Sequence, residues 1–374
     1  MTVYFVENEN PRRNSSGGIM SYLMMLSQHL QKKGFRTVLL GTGEPLPEGR
    51  RPFSDFIPVV GKEAVSNARY LRALWKVVFR LKAAQPSIVH AQRPDMLVPF
   101  ILRKKDFLLV CTLHGAHDLA VLDKKGVFLG WIYGRLQRLA FRHAHWLIAV
   151  DKNTRNHYLR KYPGVGEKMS VIPTGIGLDK FKPMDREELR EKYDFGRQDK
   201  IVLFVGRLEK EKNLLLLLEA FAILREESTD VKLVLVGKGR EEAALKRRIS
   251  ELKLEKVLLL GEIDNERIPE LMNCADVLVL CSLYEGSPSV IKEALACNRP
   301  VVAVDVGDVK QIIEGIEGCF IADGTAADLA DKILAVWRGQ KTLEAREKVL
   351  NYGQDRIGEE TLRVYQCLLR KARK

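Results

Sequence analysis

DVLVLCSLYEGSPSVIKEALACNRPVVAVD, residues 276–305, reads as strand, loop, helix, strand. Asp276 to Cys281 is a short run rich in Val and Leu, the pattern of a strand buried on both faces. Ser282 to Gly286 is a loop. Ser287 is placed to cap a helix, and Pro288 suits its first position, where no backbone N–H is lost. The helix carries Val290, Ile291, Ala294, Leu295 and Ala296. Asn298 is a left-handed stop, and Pro300 prevents continuation. Val301 to Val304 is the next strand. A parallel, right-handed βαβ crossover is expected.

Two carboxylates bracket the start of that helix. If Glu285 and Glu293 were both helical, they would lie about 12 Å apart along the axis. With Glu285 in the loop, both can reach one extended ligand. The N–H groups around Gly286, Ser287, Ser289 and Val290 form a helix start of partial positive charge, suited to a diphosphate. Such a phosphate pocket, flanked by two carboxylates that bind hydroxyls, describes a nucleotide-sugar site. A surface loop with a solvated helix face remains the alternative on these residues alone.

The spacing E-x7-E within EGSPSVIKEALACNRPVVA resembles the signature of retaining glycosyltransferases of family four, whose two domains form the GT-B fold. The resemblance places Glu285 at the donor sugar and Glu293 at the ribose, with Gly286 to Val290, Pro288 included, around the donor. It implies an α/β protein with two Rossmann-like parallel-sheet domains facing across a cleft. The donor would be a nucleotide-diphospho-sugar, a substrate and not a cofactor.

The totals agree with two domains. The chain has 374 residues and 46% hydrophobic content, more than one ordinary α/β core uses. No apolar run approaches a membrane span. The start, MTVYFVENEN, lacks the basic-then-apolar order of a signal peptide, so a cytosolic protein is expected. The six cysteines include no C-x-x-C pair and read as reduced core thiols.

The net charge of +13 belongs entirely to one half. Residues 1–172 hold 27 Lys and Arg against 12 Asp and Glu, whereas the remainder holds 34 against 36. An acidic partner is expected there: anionic lipid, a phosphorylated acceptor or nucleic acid. A merely solvated surface is the alternative. Within that half, NARYLRALWKVVFRLKAAQP (67–86) places Leu71, Leu74, Trp75, Val78, Phe79 and Leu81 on one broad face and four basic residues on another. It reads first as a helix packed on a sheet, and second as an interfacial helix. Lys124–Lys125 and GVFLGWIYGRLQRLAFRHAHW add basic and aromatic groups, making peripheral contact with an anionic membrane face credible. No aromatic-basic stacking stripe of a nucleic-acid module is present, so nucleic acid is not expected.

Other motifs extend the resemblance over nearly the whole chain. Gly17 and Gly18 lie between the first strand (Thr2 to Val6) and the first helix, where backbone can approach an anion. The family carries a glycine pair there, near the donor phosphates and acceptor. VCTLHGAHD resembles the family's strand-then-His motif and implies that His114 meets the donor sugar and its phosphate; His90 and His117 stay undecided. VGRLEKEKN resembles the G-R…K motif, which implies donor-phosphate roles for Arg207 and Lys212. GKGREEA fails as G-x-G-x-x-G at Glu242, yet Gly237 occupies the family's turn beside the nucleotide. At 173–177 the chain has PTGIG where the family has an Asn-Gly-Val-Asp type sequence, so no linker contact is inferred.

The expected organisation is an acceptor domain over 1–172, a donor domain over 173–355, and a last helix, 356–374, packing back on the first domain. Helices are also expected over 326–338 and 342–350. The expected activity is transfer of a sugar, with retention of configuration, to a lipid-linked or phosphorylated glycan. The absence of an Asp-x-Asp motif predicts no required metal. Two alternatives stay open: another GT-B enzyme, such as a phosphorylase or sugar-nucleotide epimerase, and a non-catalytic binder of nucleic acid or membrane.

Overall fold

The computed structural model describes residues 1–11, 18–44, 52–61, 65–82, 87–339 and 343–372. The chain divides into two compact units, residues 1–175 with 354–374, and residues 176–353.

The first unit contains, in chain order, β1 (Thr2–Val6), α1 (Gly18–Lys32), β2 (Arg36–Thr42), β3 (Asp55–Val60), α2 (Asn67–Arg80), β4 (Ser87–Ala91), α3 (Pro94–Leu97), β5 (Phe107–Leu113), α4 (His117–His143), β6 (Trp146–Ala149), α5 (Lys152–Lys161) and β7 (Met169–Val171). Its sheet is parallel, with order β3-β2-β1-β4-β5-β6-β7. Alternation along β1 explains the two-sided burial. Val3 and Phe5 join a core with Leu23, Leu26 and Leu30 of α1, while Tyr4 and Val6 join one with Tyr70, Leu74 and Val78 of α2. The buried stripe of α2 is thus Tyr70, Leu74 and Val78. Phe79, expected on the packed face, is exposed and stacks on Trp75 with ring centroids 6.1 Å apart. Tyr70 takes the core position because its hydroxyl donates to the Leu40 carbonyl at 2.7 Å.

The second unit runs through α6 (Arg186–Lys192), β8 (Lys200–Val205), α7 (Leu214–Glu227), β9 (Val231–Val236), α8 (Glu242–Glu251), β10 (Val257–Gly261), α9 (Ile268–Cys274), β11 (Val277–Leu280), α10 (Ser289–Ala296), β12 (Val301–Val304), α11 (Val309–Ile313), β13 (Phe320–Ala322), α12 (Ala326–Gly339) and α13 (Arg346–Val349). Its sheet is also parallel, with order β10-β9-β8-β11-β12-β13. The quoted stretch is the β11–α10–β12 crossover, with Leu278 opposite Val301 and Leu280 opposite Ala303. Asn298 is left-handed at φ 53°. Ile291, Ala294 and Leu295 are fully buried beneath the sheet, each large side chain contributing about 1.5–3 kcal/mol. Of the helix expected over 342–350, position 342 lies outside the described residues; the rest holds a single turn, α13, and the chain then tightens into a 3₁₀ turn at Leu350–Tyr352.

The last helix, α14 (Gln354–Ala372), belongs to the first unit. Ile357, Leu362, Tyr365 and Leu368 pack into the α1 core. The two helices cross closely at Gly358, where an added Cβ would lie 2.4 Å from the His29 ring. Lys33 pairs with Glu359 at 3.1 Å beside that crossing.

Candidate active site

Open parallel sheets hold ligands outside their carboxyl ends, where the strand order reverses. In the second unit that point lies between β8 and β11. The loops after these strands carry Arg207, Lys212 and Glu285. Lys212 ends a 3₁₀ turn, after which Asn213 adopts a left-handed conformation and starts α7. Its Nζ meets Glu285 Oε1 at 2.5 Å, and Ser282 Oγ donates to the same oxygen at 2.8 Å. Both members of the ion pair keep about one-sixth of their side-chain surface in solvent. The Cys281 thiol, pushed up to about 12 by burial, donates to the Lys212 carbonyl at 3.2 Å and ties the two loops from behind. Arg207 is mostly exposed, 3.7 Å from Glu211.

The loop before α10 departs from the expected capping. The helix begins at Ser289, Pro288 is its N-cap residue, and no side-chain cap bond forms. Ser287 does not cap, because its hydroxyl is committed elsewhere: it donates to Asp308 Oδ2 at 2.6 Å and accepts from Lys292 Nζ at 2.5 Å. Lys292 is fully buried, with its ammonium 4.5 Å from the centre of the Tyr352 ring. Gly286, Ser287 and Pro288 are buried, and Ser289 and Val290 half-buried. The first-turn N–H groups precede the first intrahelical bonds.

Glycines bring neighbouring loops together. The Gly286 carbonyl accepts from the Asp308 N–H at 3.1 Å. Gly307 has φ +59°, and a Cβ on it would lie 1.8 Å from the Gly286 oxygen. Gly237 has φ +136°, and its Cβ would lie 1.9 Å from the Gly206 oxygen. Its N–H donates to Gly261 at 2.7 Å, aligning the turns after β8, β9 and β10. Glu293, one turn into α10, is half-buried at its surface yet surrounded by protein. Burial raises its carboxyl to about 7, against the opposing pull of Lys180, a Ser289 hydrogen bond and Lys292.

In the first unit the strand order reverses between β1 and β4. Gly18 opens α1; Gly17 lies outside the described residues. His114 follows β5, with Nε2 2.9 Å from Gln92 Oε1 and Tyr22 edge-on at 5.7 Å. Burial lowers it to about 4, so the imidazole is neutral at physiological pH. The Gln92 amide donates to the His90 carbonyl, so its oxygen faces His114. His114 Nε2–H then donates, leaving Nδ1 as an acceptor. His90 is a core residue: Nδ1 lies 2.6 Å from Tyr365 Oη and Nε2 2.6 Å from Thr112 Oγ1, and burial lowers it to about 3. The His117 N–H donates to Tyr158, a helix-start contact.

Sequence reasoning missed Lys292, Gly307, Asp308 and Glu7. Glu7, directly after β1, is buried and raised to about 8 by burial first and Glu9 second. It sits with the Arg93–Asp95 pair, bonded at 2.7 Å and 3.1 Å. Among the described residues, no His, Cys, Asp and Glu cluster has metal-binding geometry, and no helix is long and apolar enough to cross a membrane.

Two doubly wound parallel sheets in series, the second holding cations and carboxylates at its reversal point, define a GT-B protein. Family models cover most of the chain: Glycosyltransferase Family 4 over residues 16–180, and Glycosyl transferases group 1 over residues 185–356. The phosphatidyl-myo-inositol mannosyltransferase of Mycobacterium leprae is 27% identical over 373 residues, spanning 94% of this chain and 93% of that protein. The UDP-Gal:alpha-D-GlcNAc-diphosphoundecaprenol alpha-1,3-galactosyltransferase of Escherichia coli is 28% identical, spanning 67% of this chain and 66% of that protein. The solved sucrose-phosphate synthase of Thermosynechococcus elongatus superposes with a TM-score of 0.86 at 21% identity, over 99% of this chain and 100% of that one, and shows the shared fold. The chain belongs to the family-four, group 1 glycosyltransferases.

Proposed function

We propose that the second unit binds a nucleoside-diphospho-sugar and that the enzyme transfers its sugar, with retention, to a lipid-linked or phosphorylated glycan. The first unit, with its excess positive charge, would recognise that acceptor and the anionic, inner face of a membrane. The observation that carries the donor assignment is the Lys212–Glu285 pair at the β8/β11 reversal point, beside the α10 start. As the bond from anomeric carbon to phosphate breaks, negative charge grows on the diphosphate. Lys212, Arg207 and the first-turn N–H groups near Ser289 stabilise it. Glu285 holds the sugar and Glu293 the ribose. The acceptor names of the mannosyltransferase and galactosyltransferase relatives support a lipid-linked acceptor. We read the diphosphate as neutralised by side chains without a bound metal ion.

Glu285→Ala tests the site. It frees Lys212 for the diphosphate, so nucleotide affinity should hold or rise, while transfer falls by about a thousandfold. A thermal-shift screen over UDP-, GDP- and ADP-sugars identifies the donor first, since bound ligand raises stability. Equal loss of affinity and turnover sinks the sugar role of Glu285. Inactivation of the native enzyme by a chelator sinks the metal-free reading.

A further inference from the structure

The least explained surface of the chain lies on α4. A packed helix hides its large apolar residues, yet this one displays them. Leu119 is 54% exposed, Val127 79%, Phe128 72% and Trp131 58%. Single exposed apolar residues are ordinary; a cluster of this density on one element marks a contact surface.

The local geometry is built for that display. Gly126 has φ 77° and ψ 173°, a conformation open to glycine, and it breaks α4 into two segments. The two segments touch across the elbow: a Cβ on Gly130 would lie 2.9 Å from Leu122 Cδ1, so Leu122, itself exposed, rests against that glycine. Beyond the elbow, helical spacing sorts the residues. Tyr133, Gln137, Ala140 and Phe141 are buried. Phe128 and Trp131 share the opposite stripe with Arg135, Arg138 and Arg142, all exposed. Val127 to His143 carries those three arginines and no acid. The stripe therefore has an apolar tip and a basic shaft. The tip, Val127 to Trp131, spans about 6 Å of axis, and the arginines follow about 10 to 21 Å beyond Phe128. Arg135 lies over the Trp131 ring at 4.9 Å, joining the two zones.

We propose that the Gly126 elbow is a membrane wedge: Val127, Phe128 and Trp131 enter the boundary between headgroups and acyl chains of an anionic bilayer, and Arg135, Arg138 and Arg142 bind lipid phosphates behind them. The depth matches the 5–10 Å that interfacial helices bury, and the charge matches the leaflet. The helix that carries the wedge begins three residues after His114, at the carboxyl edge of the sheet, and the elbow follows about 14 Å further along its axis, so insertion turns that edge towards the lipid surface. This deepens the proposed membrane-facing role of the first unit by assigning it to one element, distinct from α2.

Flotation with vesicles tests it without any sugar donor. The full chain should float with vesicles containing 30% phosphatidylglycerol, far less with pure phosphatidylcholine. Val127→Ser/Phe128→Ser/Trp131→Ser should lower partition on the order of a hundredfold while the melting temperature is kept, since these side chains are exposed. Arg135→Gln/Arg138→Gln/Arg142→Gln should also lower it about a hundredfold and erase the lipid preference. The Trp emission blue-shift on vesicle addition should vanish in Trp131→Phe. Failure of the native chain to float overturns the wedge, as does undiminished flotation of the serine variant. A concentration-dependent dimer that the serine substitutions dissolve, with no vesicle binding, assigns the patch to a second copy and overturns it too. A protein that floats but transfers no sugar leaves the wedge standing and refutes the activity.

Discussion

Glu293→Gln turns the electrostatics of the proposed donor site into a measurable stability. In the unfolded chain this carboxyl titrates near 4.5; in the fold, burial raises it to about 7. Between those values the unfolded state sheds its proton and the folded state keeps one. Native stability is therefore intact below pH 4.5, falls as pH rises towards 7, and is flat above. The full loss is about 3 kcal/mol at pH 8, and under about 1 kcal/mol at pH 5. Glutamine has the same size and no charge. The variant should be more stable than the native protein by about 3 kcal/mol at pH 8, or roughly 6–12 °C for a unit of this size. The advantage should nearly vanish at pH 5. Thermal melts of both proteins from pH 5 to 8 decide it, and parallel curves refute the argument. Donor binding should respond in the opposite sense. In the proposed ribose role, hydroxyls donate to the ionised carboxylate, so binding below pH 7 should expel a proton and weaken by up to about tenfold per pH unit. The variant should bind more weakly at pH 8 and show a flat profile. A site that costs stability until its ligand arrives is the expected signature of function.

Gly307→Ala should cost at least about 1–3 kcal/mol from its left-handed backbone and displace Gly286, weakening donor binding. Gly315→Ala, with φ +75° and no atom within 4 Å, is the control that should lose stability but not affinity; equal affinities in both variants refute the loop coupling. Tyr365→Phe leaves His90 Nδ1 without its 2.6 Å partner and should cost about 1–3 kcal/mol by denaturant unfolding at pH 7.5; no cost refutes the tie between α14 and β4. Because His90 is lowered from 6.5 to about 3, its stabilisation is present above pH 6.5 and lost as pH falls towards 3.

What the chain showed in advance, and what it hid, divides along a physical line. The β11–α10–β12 crossover was legible because a both-faces-buried strand is a local pattern, and Asn298 and Pro300 end the helix through backbone preferences alone. The pairing of Glu285 with Lys212 was half legible: both residues stood out by motif, but the 2.5 Å contact joins positions 73 apart. Lys292 was illegible. Beside Glu293 a lysine reads as solvated helix face, and only folding supplies Ser287 and the Tyr352 ring that let it be buried. The same cause defeated the expected Ser287 cap, since a hydroxyl bonded to Asp308 cannot also close a helix end. His90 and His114 show the limit most plainly. Both follow or end a strand at the carboxyl edge, yet one is fixed between Tyr365 and Thr112 and the other keeps a ring nitrogen available. Tyr365 comes from α14, 275 residues away. A polar side chain's role is set by which partners burial brings to it. Apolar periodicity reports the sheets and helices; it says little about a buried charge until the distant partner is in place.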